Sequence, residues 1–283
     1  MRLLLITLGF FGCWIFTACS NSDLETSKPE ADHSQPLETA LPNVDRTWWQ
    51  PELGLTWQIQ FVGEIDLDVE AEVFTLDLFE TTTADIQKLH TRGVRVFCYL
   101  NAGAWEDWRP DNDDFPPEVL GENYIGWPGE RWLDIRQIDL LAPVMTARLD
   151  LCAEKGFDGM DPDNLDGYTN ATGFPLTYAD QLAYNRWLAN EAHQRGLGIG
   201  LKNDPDQIGD LLSDFDWATT ENCFHESWCD LYTPFIAAGK PVFAIEYTDN
   251  GTQLNDFCDR AAALSIEAIL KNRKLDAWRA TCP

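Results

Sequence analysis

Residues 156–164 read Gly-Phe-Asp-Gly-Met-Asp-Pro-Asp-Asn and place three acids where an apolar strand runs into a loop. Phe157 and Met160 have the bulk and spacing of core residues. Carboxylates are costly to bury unless they are paired, hydrogen-bonded or used. Asp161 and Asp163 alternate at period two, so both can project from one side of an extended strand. We interpret them as acid–base candidates at the mouth of an α/β core; the alternative is that they cap a helix or stabilise a turn.

Short apolar strands alternate with amphipathic helices along most of the chain. The eight predicted strands are 55–61, 73–78, 94–101, 156–163, 198–203, 217–223, 241–247 and 267–271. Helices are predicted at 82–92, 177–195, 207–215, 231–238 and 254–264. Strand–helix alternation indicates parallel strands, and no Gly-x-Gly-x-x-Gly turn of the dinucleotide type occurs. The pattern therefore predicts an α/β protein with a single (β/α)8 TIM barrel rather than an open doubly wound sheet.

Almost every predicted strand ends on a polar or charged side chain, although strand residues are mostly apolar. In chain order these side chains are Gln58 or Gln60, Asp77, Asn101, Asp161 and Asp163, Lys202 and Asn203, Glu221, Glu246 and Tyr247, and Lys271. Active sites of (β/α)8 barrels lie at the carboxyl ends of the strands. The sequence therefore predicts a catalytic or ligand-binding rim at that end.

The segment from Ala102 to about Leu140 interrupts the alternation of strands and helices. Its aromatic residues are Trp105, Trp108, Tyr124, Trp127 and Trp132. A loop of this length in a compact domain is usually functional or partly structured. Aromatic rings beside an acidic cleft suit stacking on the apolar C–H faces of sugars. The alternative is that they only pack the loop onto the barrel; we expect at least one to face the cleft.

The chain carries 47 acidic against 20 basic residues, a formal net charge of −27. This charge argues against nucleic acid as a partner and against electrostatic binding to anionic lipid. It suits an exported protein and would attract a cationic substrate, or it serves solubility alone.

The N-terminus has the pattern of a targeting segment. Arg2 precedes an apolar run, 3–16, that is too short to span a bilayer comfortably. Phe16-Thr17-Ala18-Cys19 looks like a lipobox with Phe16 in place of the usual Leu, so residues 1–18 are predicted to be a lipoprotein signal peptide and Cys19 the lipidated residue. A plain secretory signal is the alternative. Residues 19–45 are predicted to be a disordered tether and residues 46–283 the barrel, exported and either membrane-anchored in a bacterial envelope or secreted.

Export permits disulfides, and the cysteines that follow Cys19 are Cys98, Cys152, Cys223, Cys229, Cys258 and Cys282. Six cysteines allow 15 pairings. Cys223 and Cys229 enclose a short loop, and Cys258 with Cys282 would tie down the C-terminal tail. That arrangement leaves Cys98 with Cys152. Zinc binding is the competing interpretation, but there is no Cys-x-x-Cys pair and there are only four histidines.

A glycosidase needs two carboxyl groups that flank the scissile bond. Asp161 or Asp163 from the fourth predicted strand and Glu221 from the sixth can face each other across a barrel mouth. A disulfide at Cys223 would fix the loop that carries Glu221. Partial burial would raise the pKa of Glu221 toward the range of a general acid.

The predicted strand end at Lys202-Asn203 lies between the candidate acids. Lys202 could keep a neighbouring carboxylate ionised and Asn203 could bind a sugar hydroxyl; the alternative is a buried Lys–Asp pair needed only for stability. Asp77 and Glu246 would suit recognition of a protonated amine, or they cap the helices that follow. His193 and His225 are not convincing as catalysts, and His193 fits a helix end.

From Trp48 to about Tyr247 the chain resembles the endo-α-1,4-polygalactosaminidase family, glycoside hydrolase family 114. The segments that carry the resemblance are 57–58, 77–79, 98–103, 106–111, 127–136, 158–168, 200–203 and 221–223. The resemblance implies a (β/α)8 barrel that hydrolyses α-1,4-linked galactosamine polymers. It also implies that the acid pair is Asp161 or Asp163 with Glu221. Leu100-Asn101 replaces an expected Phe-Ser, and Phe157 replaces a frequent Cys, which leaves Cys152 as the partner of Cys98.

We therefore expect a monomeric glycoside hydrolase that needs no cofactor or metal, binds a cationic polysaccharide and touches the membrane only through its lipid. The alternatives are a non-catalytic polysaccharide-binding surface lipoprotein on the same scaffold, or a related hydrolase for another hexosamine. The catalytic candidates are Asp161, Asp163 and Glu221. The residues expected to bind substrate are Gln58, Asp77, Asn101, Trp105, Asn164, Asp166, Lys202, Asn203, Glu246 and Tyr247.

Overall fold

The computed structural model describes residues 47–283, and every structural statement below concerns these residues. The predictions for the signal peptide, for lipidation at Cys19 and for the tether fall outside the described residues. Between residues 47 and 283, none of the helices combines the length and apolar character needed to cross a bilayer.

The described chain alternates strands with helices for most of its length. The strands are β1 (Trp57–Gln60), β2 (Val73–Asp77), β3 (Arg95–Asn101), β4 (Ala104–Glu106), β5 (Leu120–Asn123), β6 (Glu130–Leu133), β7 (Gly159–Asp163), β8 (Gly198–Lys202), β9 (Trp217–Glu221), β10 (Val242–Tyr247), β11 (Glu267–Lys271) and β12 (Arg279–Thr281). The α-helices are α1 (Thr83–Thr91), α2 (Ile138–Lys155), α3 (Tyr178–Gln194), α4 (Ile208–Leu211), α5 (Thr233–Ala237) and α6 (Leu254–Leu264). Single 3₁₀ turns are Asn112–Asp114, Pro117–Val119, Gly167–Thr169, Pro205–Gln207, Cys229–Tyr232 and Thr248–Asn250.

Eight parallel strands form the barrel sheet in the order β1-β2-β3-β7-β8-β9-β10-β11, and β12 continues it antiparallel to β11. The predicted (β/α)8 barrel is confirmed. Each predicted strand is present, at 267–271 with the predicted bounds and elsewhere with slightly shorter ends. The helices predicted at 207–215 and 231–238 are shorter than expected. Each begins with a 3₁₀ turn, and Pro205 and Pro234 fix the backbone at the start of these segments.

Aromatic rings fill the barrel interior near the amino ends of the strands. The indole of Trp217 lies where inward positions on β7 and β8 are glycine: a Cβ at Gly159 would approach the ring to 2.7 Å, and one at Gly200 would lie 2.2 Å from Nε1. Phe97 stacks on Trp217 with ring centroids 3.9 Å apart. This packed layer closes the lower part of the barrel, so polar inward residues further along the strands lie above it.

Residues 272–281, here called the closing segment, seal the gap between β11 and β1. The amide of Phe61 donates to the carbonyl of Leu275 at 2.8 Å, and Lys271 Nζ donates to the carbonyl of Asp276 at 2.7 Å. On β12, the Arg279 guanidinium donates to the carbonyl of Trp57 in β1. The sequence did not predict β12, because three residues without an apolar pattern give no strand signal.

The interrupted segment 102–140 folds into a small antiparallel sheet with strand order β4-β6-β5. Glu106 pairs with Glu130 in the β4–β6 register. The amides of Ala102 and Gly103 donate to the carbonyl of Asp163 at 3.1 Å, so this sheet is attached directly to the end of β7. The sequence predicted only a long loop here, yet these strands build one wall of the barrel mouth.

The described cysteines form three disulfides, in the pairs that the sequence analysis favours. They are Cys98–Cys152, Cys223–Cys229 and Cys258–Cys282. The first joins β3 to α2, the second closes the loop after β9, and the third ties α6 to the residues that follow β12. Cys223 and Cys229 lie close to Glu246, but their sulfurs are bonded to each other and therefore offer no thiolate to a metal.

Candidate active site

A cavity of about 470 Å³ opens at the carboxyl ends of the barrel strands. Its polar and aromatic lining consists of Phe61, Asp77, Glu80, Tyr99, Glu106, Trp108, Arg109, Tyr124, Trp127, Glu130, Asp163, Asn164, Asp166, Asn170, Lys202, Asn203, Glu221, Tyr247, Arg273 and Lys274. A wider depression of about 830 Å³ lies among residues around Thr56, Cys258 and Thr281. We place the active site in the former because facing carboxylates, cations and aromatic rings meet there.

Lys202 lies at the centre of this cavity and contacts both candidate acids. Its Nζ lies 2.9 Å from Asp163 Oδ1 and 3.2 Å from Glu221 Oε2. The lysine side chain is only 5% exposed. Burial alone would lower the pKa of Lys202, but the carboxylates of Asp163, Glu221 and Asp161 outweigh burial and hold that pKa well above its usual value. The lysine is therefore a permanent cation between the two acids.

Asp163 is held in its ionised form by three donors. Besides Lys202, the Tyr99 hydroxyl donates to Oδ2 at 2.9 Å and the Asn164 amide donates to Oδ1 at 3.1 Å. Burial would raise the pKa of Asp163, but the charge of Lys202 and these hydrogen bonds lower it below the usual value. Burial and the charge of Asp163 raise the pKa of Tyr99 well above normal, so its hydroxyl remains a donor.

Glu221 is oriented by Lys202, Tyr247 and Asn203. The Tyr247 hydroxyl donates a hydrogen bond to Oε1 of Glu221, and Asn203 Oδ1 accepts from the Glu221 backbone amide at 3.0 Å. The Arg273 guanidinium lies 3.6 Å from the centroid of the Tyr247 ring. Tyr247 is thereby fixed between a cation and the carboxyl that it supports.

The chain turns sharply just after the site residues of β7, β8 and β9. The last residues of these strands are Asp163, Lys202 and Glu221, and each is followed directly by an asparagine. The φ angles of these asparagines are 62° at Asn164, 50° at Asn203 and 58° at Asn222. Asparagine tolerates this left-handed conformation better than most residues. Opposite the first turn, a Cβ on Gly103 would lie 1.8 Å from the carbonyl oxygen of Asn164, so only glycine fits there.

Asp161 lies on the same strand as Asp163 but does not line the cavity. It is 1% exposed, and neither carboxyl oxygen has a hydrogen-bond partner of ordinary geometry, although Thr219 is close enough to act on it. Burial raises the pKa of Asp161 to about 6, against the opposing influence of Lys202 and Thr219. Of the two aspartates, the structure gives Asp163 access to a ligand.

Four of the residues predicted to bind substrate do not line the cavity either: Gln58, Asn101, Trp105 and Glu246. Gln58 donates to the carbonyl of Ala277 and accepts from Lys271, which places it at the barrel seam. The side chain of Asn101 bonds Glu130 at 3.2 Å and the amide of Ala104 at 2.8 Å.

The other two are Trp105 and Glu246. Trp105 packs on the core and donates from Nε1 to the carbonyl of Asn112. Glu246 is buried and accepts from the amides of Phe224 and His225, at 2.8 and 3.2 Å. It therefore anchors the loop after β9 rather than facing a ligand.

The remaining predicted binding residues do line the cavity: Asp77, Asn164, Asp166, Lys202, Asn203 and Tyr247. Asp77 is neutralised by Arg109, whose Nη1 lies 2.7 Å from Oδ2. Burial, and then the charge of Asp163, raise the pKa of Asp166 to about 6.

Sequence reasoning missed Tyr99, Glu106, Arg109, Glu130 and Arg273. Tyr99 could have been found, because it precedes Asn101 by two positions and shares its side of the strand. The others come from the small sheet and the closing segment, where the sequence carried no strand signal that would bring them to the barrel.

Three aromatic rings of the small-sheet region border the cavity. Trp108 and Trp127 are 52% and 46% exposed, and Tyr124 packs edge-on against Trp132 with centroids 4.5 Å apart. Trp105 and Trp132 serve packing instead. Exposed indoles beside paired carboxylates form a surface suited to sugar rings.

Comparisons with known proteins identify the family of this chain. The family model described as glycoside-hydrolase family GH114 matches residues 38–283. The chain is similar to Ega3 of Aspergillus fumigatus, solved in complex with galactosamine, at 40% identity and a TM-score of 0.79, over 83% of this chain and 97% of that one. The glycoside hydrolase domain of PelA from Pseudomonas aeruginosa shares the fold, with 15% identity and a TM-score of 0.64 over 81% and 99% of the two chains.

An uncharacterised protein of Deinococcus radiodurans is 24% identical over 301 residues, which is 93% of this chain and 95% of the relative. The family match spans all of the described residues and includes the site residues on β7, β8 and β9. The resemblance noted in the sequence is thereby confirmed. The chain is a glycoside hydrolase and belongs to glycoside hydrolase family 114.

Proposed function

We propose that the protein cleaves internal α-1,4 linkages of a galactosamine-containing polysaccharide. The observation that carries this proposal is the contact of Asp163 and Glu221 with one lysine nitrogen inside an open cavity. The 40% identity to Ega3, solved with galactosamine, supports the sugar. The net charge of −27 supports a polymer that carries protonated amines.

The spacing of the acids favours a double displacement with retention at the anomeric carbon. The two oxygens lie 2.9 and 3.2 Å from Lys202 Nζ, so they are at most about 6 Å apart. Retaining enzymes place their carboxyl groups about 5–5.5 Å apart and inverting enzymes about 6.5–9.5 Å apart. We assign Asp163 as the nucleophile because three donors keep it ionised.

In the first step the Asp163 carboxylate bonds to the anomeric carbon while Glu221 gives a proton to the departing glycosidic oxygen. In the second, the Glu221 carboxylate takes a proton from water, and the water oxygen displaces Asp163 from the sugar. Lys202 and Tyr99 hold the nucleophile in place, and Tyr247 holds Glu221. The first anomer released, followed by proton NMR, should have the configuration of the substrate linkage.

The test is the release of reducing ends from polygalactosamine by full-length protein. Asp163→Asn and Glu221→Gln should each lower the rate by at least about 10³-fold while circular dichroism stays unchanged. Glu226→Gln removes the same charge from an exposed position on the same loop and should keep full activity. Normal turnover by either site variant would refute the proposal. Binding of the polymer by wild type without any new reducing ends would favour the non-catalytic alternative.

We further propose that the protein is exported, that residues 1–18 are removed and that Cys19 carries lipid on a monomeric enzyme tethered by residues 19–45. The lipobox-like Phe16-Thr17-Ala18-Cys19 supports the anchor, and the three disulfides support an oxidising compartment. Mass spectrometry of the mature N-terminus tests this directly. An unmodified Cys19 in protein purified from membranes would contradict it.

A further inference from the structure

Glu130, at the start of β6, is a cavity carboxyl that the protein leaves without a counterion. It lines the cavity and is 8% exposed. Its Oε2 accepts from Asn101 Nδ2 at 3.2 Å, and among residues 47–283 no lysine, arginine or histidine forms an ion pair with it. A buried carboxyl in this situation is costly in its ionised form.

Arg109, which acts on Glu130, and Lys202, which lines the same cavity, are already paired with other acids. Arg109 lies 2.7 Å from Asp77 and 2.8 Å from Glu106, while Lys202 serves Asp163 and Glu221. Burial, followed by the charges of Glu106 and Asp163, raises the pKa of Glu130 to about 8. No cation of the cavity therefore remains to form an ion pair with Glu130 among the described residues.

We propose that Glu130 determines specificity by forming an ion pair with the ammonium group of an amino sugar in the cavity. This inference rests on the proposed function for the identity of the sugar. The position fits the role: Asn101 links Glu130 to Asn164, the residue directly after Asp163, through hydrogen bonds of 3.2 and 3.0 Å. A neutral or N-acetylated hexose would bring no cation to this carboxyl, so it would bind without the ion pair.

The inference has a thermodynamic signature that is independent of turnover. At pH 6 the carboxyl of Glu130 in the free protein holds a proton, because its pKa is raised to about 8. An ammonium group at this site lowers that pKa, so binding must release up to one proton. The titratable groups that face Glu130 are Glu106, Asp163, Arg109, Tyr99 and Tyr124.

The experiment is calorimetric titration of full-length protein with galactosamine and with galactose at pH 6, in two buffers of different ionisation enthalpy. Wild type should prefer galactosamine on the order of tenfold and release a proton when it binds. Glu130→Gln keeps the shape and the bond from Asn101; it should reduce the preference below about twofold and abolish the release. Glu118→Gln removes a charge from an exposed position beside the small sheet and outside the cavity, and it should behave as wild type.

Two results would overturn the inference: an undiminished preference for galactosamine in Glu130→Gln, or proton release that the substitution leaves unchanged. Unfolding of each variant is followed in parallel, and Glu130→Ala provides a second test should the glutamine variant bind neither sugar. The calorimetric experiment measures binding and does not depend on hydrolysis. If the protein released no reducing ends from polygalactosamine, the proposed function would be refuted. The calorimetric comparison of wild type with Glu130→Gln would still decide the role of Glu130.

Discussion

Replacing Lys202 with methionine would remove the cation shared by Asp163 and Glu221 while keeping the length of the side chain. A charge-assisted hydrogen bond contributes about 1.5–3 kcal/mol, and stranding a buried charge costs about 3–5 kcal/mol. The side chains of Asp163 and Glu221 are 21% and 26% exposed, so water relieves part of this cost. We therefore expect Lys202→Met to lower the free energy of unfolding by about 3 kcal/mol at pH 7.

The loss should depend on pH in a defined direction. In wild type the raised pKa of Lys202 keeps its contribution present throughout the range below the ordinary lysine value, and the lowered pKa of Asp163 keeps the pair intact down to mildly acid pH. Without the lysine, burial raises the pKa of Asp163. Above that raised pKa the variant must bury an unpaired carboxylate, which lowers its free energy of unfolding; below it the carboxyl is protonated and this cost disappears. The loss should shrink to about 1 kcal/mol at pH 4.5.

Urea unfolding of both proteins at pH 7 and 4.5 measures these differences. Lys274→Met is the matched control, because it removes an exposed lysine from the same cavity wall and should change stability by less than about 0.5 kcal/mol at either pH. An equal loss for Lys202→Met at both pH values would refute the argument, since lost packing rather than lost charge pairing would then explain it.

Three further predictions concern single side chains. Tyr247→Phe removes the hydroxyl that supports Glu221 and should lower kcat about tenfold at an unchanged melting temperature; an unaltered kcat would contradict the role of this bond. Asp161→Asn should retain hydrolysis. As pH rises from 4 to 7 its free energy of unfolding should increase relative to that of wild type by up to about 2 kcal/mol, because the raised pKa of about 6 makes ionised Asp161 unfavourable in the folded wild type. Urea unfolding of both proteins at pH 4 and pH 7 measures this difference. Trp108→Ala should raise KM for the polymer several-fold with little change in kcat, whereas Trp278→Ala, 45% exposed outside the cavity, should leave both parameters as in wild type.

The barrel strands were predictable because each one carries enough apolar residues to be recognised alone, and the helices between them imply parallel pairing. The small sheet was not. Its strand β5 contains Gly121 and Glu122, and its pairing with β6 is irregular between Leu120 and Asn123. Contacts with the end of the barrel stabilise these strands, and their local sequence has no pattern that would predict them.

Many of the side chains that the sequence places at barrel strand ends line the cavity, but the pattern could not predict how deep each one lies or which side of the strand it faces. Asp161 and Asp163 share one side of β7, so the pattern could not tell which lies above the packed aromatic layer. Glu246 and Tyr247 are adjacent and therefore face opposite sides; only Tyr247 reaches the cavity. Glu130 lies beyond such reasoning, because a strand pairing over a long sequence distance brings it there.

The closing segment contributes both to the cavity wall and to the closure of the barrel. Arg273, Lys274 and Leu275 form part of the cavity wall. Neighbouring residues seal β11 against β1, and Cys282 is joined to α6 by a disulfide. A substitution in this segment that changes the cavity wall must therefore also preserve the contacts that close the barrel. An insertion between residues 272 and 281 should therefore disturb the cavity wall and the closure of the barrel together.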